Sequence, residues 1–85
     1  MPDLIFSPQA FKEYLEWHAD DKKTFKKIND LIKDIQRSGF TTGIGKPEPL
    51  KHIKGYSRRI DDFNRLVYAG ENQNLRILSC KGHYI

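Results

Sequence analysis

The stretch YSRRIDDFNRLVYAGENQNLRILSCK, residues 56–81, decides the fold. It divides into three runs, 56–61, 63–70 and 75–81, rich in Tyr, Ile, Val and Leu and separated by short polar turns. Short runs of β-branched and aromatic residues bounded by Asp, Asn and Gly are strand signals, and connections this brief join antiparallel neighbours. The stretch therefore predicts an antiparallel meander. Because successive side chains point to opposite faces of a strand, Ile60, Leu66, Tyr68, Leu78 and Cys80 are expected on an apolar side. The opposite side would gather Arg59, Arg65, Lys81 and His83 on one concave surface, with Ser57 and Ser79 among them.

Toward the N-terminus, residues 3–6 form a fourth short strand-like run that stops at Ser7-Pro8, a residue pair suited to the cap and first turn of a helix. Phe11, Tyr14, Leu15 and His18 then recur at i, i+3, i+4 and i+7, with Trp17 alongside, which leaves Lys12, Glu13 and Glu16 facing water. This helix should end near Ala19. Asp20 offers a cap for a second helix whose stripe is Phe25, Ile28, Leu31, Ile32 and Ile35, closed by Gly39. Two such helices predict an antiparallel hairpin covering the apolar side of the sheet. The expectation is an α+β fold, one domain over residues 1–85, with two N-terminal helices packed on a mainly antiparallel twisted sheet of about four strands.

Residues 41–55, between the second helix and the sheet, hold Gly43, Gly45, Gly55, Pro47 and Pro49 and fit no period. A loop of this length in a small domain tends to be functional, the alternative being a disordered connector. Glu48 stands between two prolines, which fix neighbouring φ values and keep it out of helical geometry. Such a segment presents a carboxylate stiffly over the sheet rim; a plain surface Glu in a turn is the competing reading.

Composition narrows the function. With 85 residues and a single cysteine, Cys80, the chain has no internal disulfide and no cysteine quartet for zinc, which fits a reducing compartment. No stretch approaches the roughly 20 apolar residues of a membrane helix, and no export signal is legible at the N-terminus, so the cytoplasm is expected. The net charge is +4, and since Lys12 faces Asp3, Glu13, Glu16 and Asp20 in the first 20 residues, the rest of the chain carries all of the positive excess. Such a surface favours polyanions, nucleic acid first among them. Lys22, Lys23, Lys26, Lys27 and Lys33 would add a basic face on the second helix, unless they are only solvated. Asp61 and Asp62 are adjacent and point to opposite faces of a strand, and His18 and His52 lack partners at ligand spacing. No metal and no cofactor are assigned.

Four blocks carry a resemblance: Gly45-Lys46-Pro47-Glu48-Pro49-Leu50-Lys51-His52, Ser57-Arg58-Arg59-Ile60, Arg65-Leu66-Val67-Tyr68 and His83-Tyr84, joined by Lys27-Ile28-Asn29-Asp30-Leu31-Ile32-Lys33-Asp34 in the second helix. Together they resemble the Txe/YoeB toxins of the RelE/ParE superfamily over essentially the full length. The resemblance implies the RelE-like microbial-ribonuclease fold and a toxin that cleaves messenger RNA in the ribosomal A site, held in check by a YefM-like antitoxin. Its implied partners are the bacterial ribosome and mRNA, with a homodimer as a further association and no membrane. Glu48 would be the general base, His83 the general acid, Arg65 the phosphate and transition-state contact, and Tyr84 a neighbour that positions RNA. Lys46, Lys51, Arg59 and Lys81 would be supporting cations. Asn64 stands where the family often has His, and Ile85 follows the tyrosine that usually ends the chain.

The chemistry agrees with that assignment. Metal-free RNA cleavage uses the substrate's 2′-hydroxyl as nucleophile, so it needs a base, an acid for the departing 5′-oxygen and positive charge at phosphorus. One carboxylate, one imidazole and one guanidinium meet that need. Each residue also has a structural alternative: His83 as a surface histidine, Arg65 paired with Asp61 or Asp62, Tyr84 sealing a core edge. Two other functional classes fit the same fold, a gyrase-poisoning toxin and a catalytically idle RNA-binding module, and incubation with translating ribosomes separates all three.

Overall fold

The computed structural model describes residues 1–82, so the expectations placed on His83 and Tyr84 fall outside the described residues. The elements are β1 (Leu4–Phe6), α1 (Pro8–Asp20), α2 (Lys22–Ser38), β2 (Glu48–Pro49), β3 (Tyr56–Arg59), β4 (Arg65–Glu71) and β5 (Asn74–Ser79). They build one sheet in the order β1-β5-β4-β3-β2. β1 runs parallel to β5, and the other neighbours are antiparallel. The expected α+β architecture is present with five strands rather than four, the extra one being β2, which forms inside the segment read from sequence as a structureless loop.

Local chemistry explains the helix ends. The Ser7 hydroxyl accepts a hydrogen bond from the Ala10 N–H at 3.0 Å and donates to the Leu78 carbonyl at 3.0 Å, fixing the start of α1 to the sheet. Asp21, not Asp20, joins the helices: its N–H donates to the Trp17 carbonyl while its carboxylate accepts from the Thr24 N–H and hydroxyl. One residue thus closes α1 and caps α2, and so sharp a turn makes the hairpin. Tyr14 donates to Asn29 Oδ1 across it at 2.7 Å.

The core lies between α2 and the sheet. Ile28, Leu31, Ile32 and Ile35 meet Ile60, Leu66, Tyr68, Leu75, Ile77 and Cys80, with Ala10 of α1 at the side. Each large apolar side chain among them, removed from water, contributes about 1.5–3 kcal/mol. The α2 stripe is the one the 3.6 period predicts. For α1 the reading needs correction, because Ala10, Tyr14 and Trp17 turn inward whereas Phe11 and Leu15 remain about half exposed, at 50% and 51%. Nor do Glu13 and Glu16 simply face water: Glu13 accepts from the Cys80 N–H at 2.8 Å, and Glu16 binds Lys81.

The sheet faces also depart from strict alternation. Val67 pairs with Ser79 and Tyr68 with Ile77, so Leu78 is an extra residue at a bulge. Leu75 and Ile77 before the bulge, and Cys80 after it, therefore share the core side despite their different parity. Burial pushes the Cys80 thiol up to about 12, an unreactive side chain.

Candidate active site

Two arginines on neighbouring strands organise everything around Glu48. Arg58 stands in register with Leu66 on the core side of the sheet and is fully buried. All of its donor groups are engaged. Nε donates to the Tyr68 hydroxyl at 2.9 Å; Nη1 donates to Asp34 Oδ2 at 2.6 Å and the Ile44 carbonyl at 3.0 Å; Nη2 donates to the carbonyls of Gly39 at 2.8 Å and Thr42 at 2.6 Å. The Tyr68 hydroxyl in turn donates to the Phe40 carbonyl at 2.7 Å. Asp34 also accepts from the Ile44 N–H at 3.0 Å. The Arg58 guanidinium, reinforced by the Ile44 N–H and Arg37, holds the Asp34 carboxyl below the usual aspartate range although burial opposes it.

This network fastens residues 39–44 to the core, and Gly45 continues it by accepting from the Arg59 N–H at 2.8 Å. The close approach explains Gly43, at φ +121°: a Cβ there would overlap the Asp34 carboxylate and lie 2.8 Å from Arg58 Nη1. Residues 48–49 then pair with β3, and the Leu50 N–H reaches the Gly55 carbonyl at 2.9 Å. The segment is long and aperiodic, yet held through residues 39–45, at 48–50 and at Gly55.

The other face of the sheet carries the candidate chemistry. Glu48 pairs with Ser57, and Ser57 pairs with Val67, so the three form a row across β2, β3 and β4. Arg65 lies two residues along β4 and folds back over that row. Its Nε donates to Ser57 Oγ at 3.0 Å, and its Nη2 approaches Glu48 Oε2 to 3.7 Å. The latter distance allows attraction but no hydrogen bond. Nη2 is buried and lacks a hydrogen-bond partner among the described residues, whereas the Glu48 side chain is 64% exposed. A buried, directed N–H donor without a partner costs about 1–3 kcal/mol, a cost that an incoming anion would remove.

The polypeptide beyond β5 is tied to the same place. The Arg65 N–H donates to the Gly82 carbonyl at 3.0 Å, and the Gly82 N–H donates to Asn64 Oδ1 at 2.8 Å. Asn64 is held in turn by Asp61, whose carboxylate accepts from the Phe63 and Asn64 N–H groups and the Asn64 amide. Burial, the largest single influence on Asp61, pushes its pKa up, but these donors together outweigh it and leave the net shift downward. Gly82 immediately precedes His83 in the chain.

Of the site residues expected from sequence, Glu48 and Arg65 are brought together. Arg59 stands opposite Arg65 on the same face but is engaged by Asp62. Lys46 and Lys51 are exposed on the loop that bears Glu48, Lys46 with a left-handed φ of 52°. Lys81 is not where alternation put it. β5 ends at Ser79, and Lys81 turns to the helices, binding Glu16 at 3.0 Å and lying 5.1 Å from the Trp17 ring centre. The structural alternative, Arg65 paired with Asp61 or Asp62, does not occur, since both aspartates are engaged in their own turn.

Ser57, Arg58 and Asn64 also shape the site, although the sequence assigns none of them a role in it. Arg58 carried a signal, because Tyr56 and Ile60 at i−2 and i+2 place it on the apolar side, where an arginine must be fully hydrogen-bonded. Ser57 is legible only once the register sets it between Glu48 and Arg65.

Comparison with known proteins identifies the family and the fold. The family model for the YoeB-like toxin of bacterial type II toxin–antitoxin systems matches residues 6–84. Toxin YoeB of Escherichia coli (strain K12) is 51% identical over 83 residues, 95% of this chain and 98% of the relative. A solved YoeB dimer from Staphylococcus aureus superposes with TM-score 0.91 at 49% identity, covering 98% of both chains. A heterotetrameric YoeB–YefM toxin–antitoxin complex from the same organism gives 0.89 at 49% identity over 99% of each.

Proposed function

Because this chain belongs to the YoeB-like toxins of bacterial type II toxin–antitoxin systems, we propose that it is a metal-independent endoribonuclease that cleaves messenger RNA in the ribosomal A site and so stops translation. The observation that supports this most is the pairing of Glu48 with Arg65 on one sheet face, at 3.7 Å, with Arg65 Nη2 buried and unpartnered among the described residues. A carboxylate beside a guanidinium that lacks an acceptor suits a scissile phosphodiester, whose 2′-hydroxyl offers a proton and whose phosphate oxygens accept hydrogen bonds.

In this reading Glu48 takes the 2′-hydroxyl proton as the 2′-oxygen attacks phosphorus. Arg65 offsets the charge on the five-coordinate phosphate, and the bond to the 5′-oxygen breaks as His83 supplies it with a proton. The products are a 2′,3′-cyclic phosphate upstream and a 5′-hydroxyl downstream. Tyr84 positions the RNA, and Lys46, Lys51 and Arg59 strengthen the local positive field. Acid and base contribute on the order of 10²- to 10⁴-fold each. Alignment of the 2′-oxygen by the ribosome supplies a further large entropic part.

In the same reading the chain acts as one domain, in the cytoplasm, and its positive charge attracts an acidic antitoxin that covers the basic face; a YefM-like partner is supported by the solved YoeB–YefM complex of a relative. The chain associates as a homodimer when free, as the solved YoeB dimer suggests. The test is to add purified protein to translating ribosomes and map messenger ends at the A-site codon. Position-specific cleavage that the antitoxin suppresses is the expected result; intact messenger on stalled or unaffected ribosomes would overturn the proposal.

A further inference from the structure

We infer that Ser57 is a positioning residue, holding the Arg65 guanidinium in the orientation in which its remaining N–H groups meet the substrate phosphate. The inference rests on the proposed function and extends it to a residue that touches no substrate.

Ser57 is 5% exposed, at the centre of β3, with Glu48 on one side in register and Val67 on the other. A serine is a poor filler for a buried strand position next to a valine, and its hydroxyl must find a partner there. The partner it finds is Arg65 Nε at 3.0 Å. An arginine side chain is long and flexible, and fixing it costs rotamer freedom. A hydrogen bond to Nε removes that freedom where it matters. The planar guanidinium can then present its Nη groups in one direction only, and Nη2 is the buried atom without a partner among the described residues. Glu48 lies too far away, at 3.7 Å, to do the same. Ser57 thus orients the charge before substrate arrives and keeps it from collapsing onto the base that must accept a proton.

Two consequences separate this role from a merely structural one. In single-turnover cleavage on saturated ribosomes, Ser57→Ala should slow the chemical step about tenfold, with ribosome affinity close to wild type. Ser57→Thr, which keeps the hydroxyl, should recover most of the rate. In the Arg65→Ala background, Ser57→Ala should change nothing further, because the group it positions is gone. Independently of activity, the Arg65 Nε–H resonance in a ¹⁵N NMR spectrum should be well dispersed and slow to exchange in the wild type, and should collapse toward the solvent-averaged position in Ser57→Ala. The inference alone is overturned by an Nε–H signal unchanged in Ser57→Ala, by Arg65-dependent cleavage that Ser57→Ala leaves intact, or by equal slowing with and without Arg65. Full cleavage by Arg65→Ala, or none by the wild type, overturns the proposed function and this inference with it.

Discussion

Arg58 and Arg65 sit on adjacent strands, carry the same charge and are both largely buried, yet the sheet divides them. Arg58 faces the core, where all of its N–H donors are taken by Asp34, Tyr68 and three carbonyls of the 39–44 segment. Arg65 faces outward over β2 and β3, with Nε held by Ser57 and Nη2 without a hydrogen-bond partner among the described residues. A saturated guanidinium is a structural clamp; an unsaturated one with a preset direction is a receptor for an anion. Burial and charge do not tell them apart, but the number of unused donors does.

The sharpest way to break the comparison is to remove each arginine. Arg58→Ala strands the Asp34 carboxylate in the core and should cost about 3–5 kcal/mol of stability, read from denaturant unfolding. Arg65→Ala should change stability by less than about 1 kcal/mol, yet slow single-turnover cleavage by about 10²- to 10³-fold or more, as loss of an oxyanion donor does. If stability falls equally in both, the distinction between clamp and receptor is wrong. Glu48→Gln belongs with Arg65: it keeps shape, cannot accept the 2′-hydroxyl proton, and should lose at least about 10² in rate with ribosome binding intact.

Gly43→Ala probes the clamp from its loop side. The new methyl would collide with the Asp34–Arg58 pair at a φ of +121°. A stability loss of about 1–3 kcal/mol is expected, with a lower cleavage rate as the Glu48 loop shifts. An unchanged melting temperature would show that the loop is not held by this contact.

A smaller effect appears in acid. The Asp34 and Asp61 carboxyls titrate below their ordinary range in the folded chain. The unfolded chain therefore binds protons first as pH falls. Their stabilisation is complete above the usual aspartate pKa of about 4 and is lost as pH drops through the folded values. Melting temperature should hold from neutrality to about pH 5 and then decline, and Asp34→Asn, less stable at neutral pH, should show a shallower acid decline. The smallest effect is expected for Lys26→Ala and Lys27→Ala on α2, where Lys26 already pairs with Asp30 at 3.1 Å. They should weaken ribosome association and its salt dependence slightly, while the saturated cleavage rate stays near wild type.

Much of this division was legible before any coordinates. The α2 stripe and the meander follow from period alone, and Glu48 and Arg65 stood out by chemistry and by resemblance. What escaped depends on register. A bulge at Leu78 shifts the parity of β5 between Ile77 and Cys80, and the strand ends at Ser79, so Lys81 lies beyond it and binds Glu16 instead of joining the site. The two-residue β2 is too short to leave a periodic signal, although it is the element that aligns Glu48 with Ser57. Arg58 was masked by its neighbour, because in Arg58-Arg59 one residue goes to the core and the other to water, and only the flanking Tyr56 and Ile60 say which.

The claim that an oriented guanidinium and a carboxylate act on the RNA's own 2′-hydroxyl is tested most directly by the chemistry of the cut ends. Messenger cleaved on ribosomes in EDTA, with ribosome integrity verified, should give a downstream fragment that polynucleotide kinase labels without prior phosphatase treatment, which marks a 5′-hydroxyl. Its upstream partner should end in a 2′,3′-cyclic or 3′-phosphate. A 5′-phosphate on the downstream fragment would mean that water, and not the 2′-oxygen, attacked phosphorus, and would contradict the roles of Glu48 as base and Arg65 as phosphate contact.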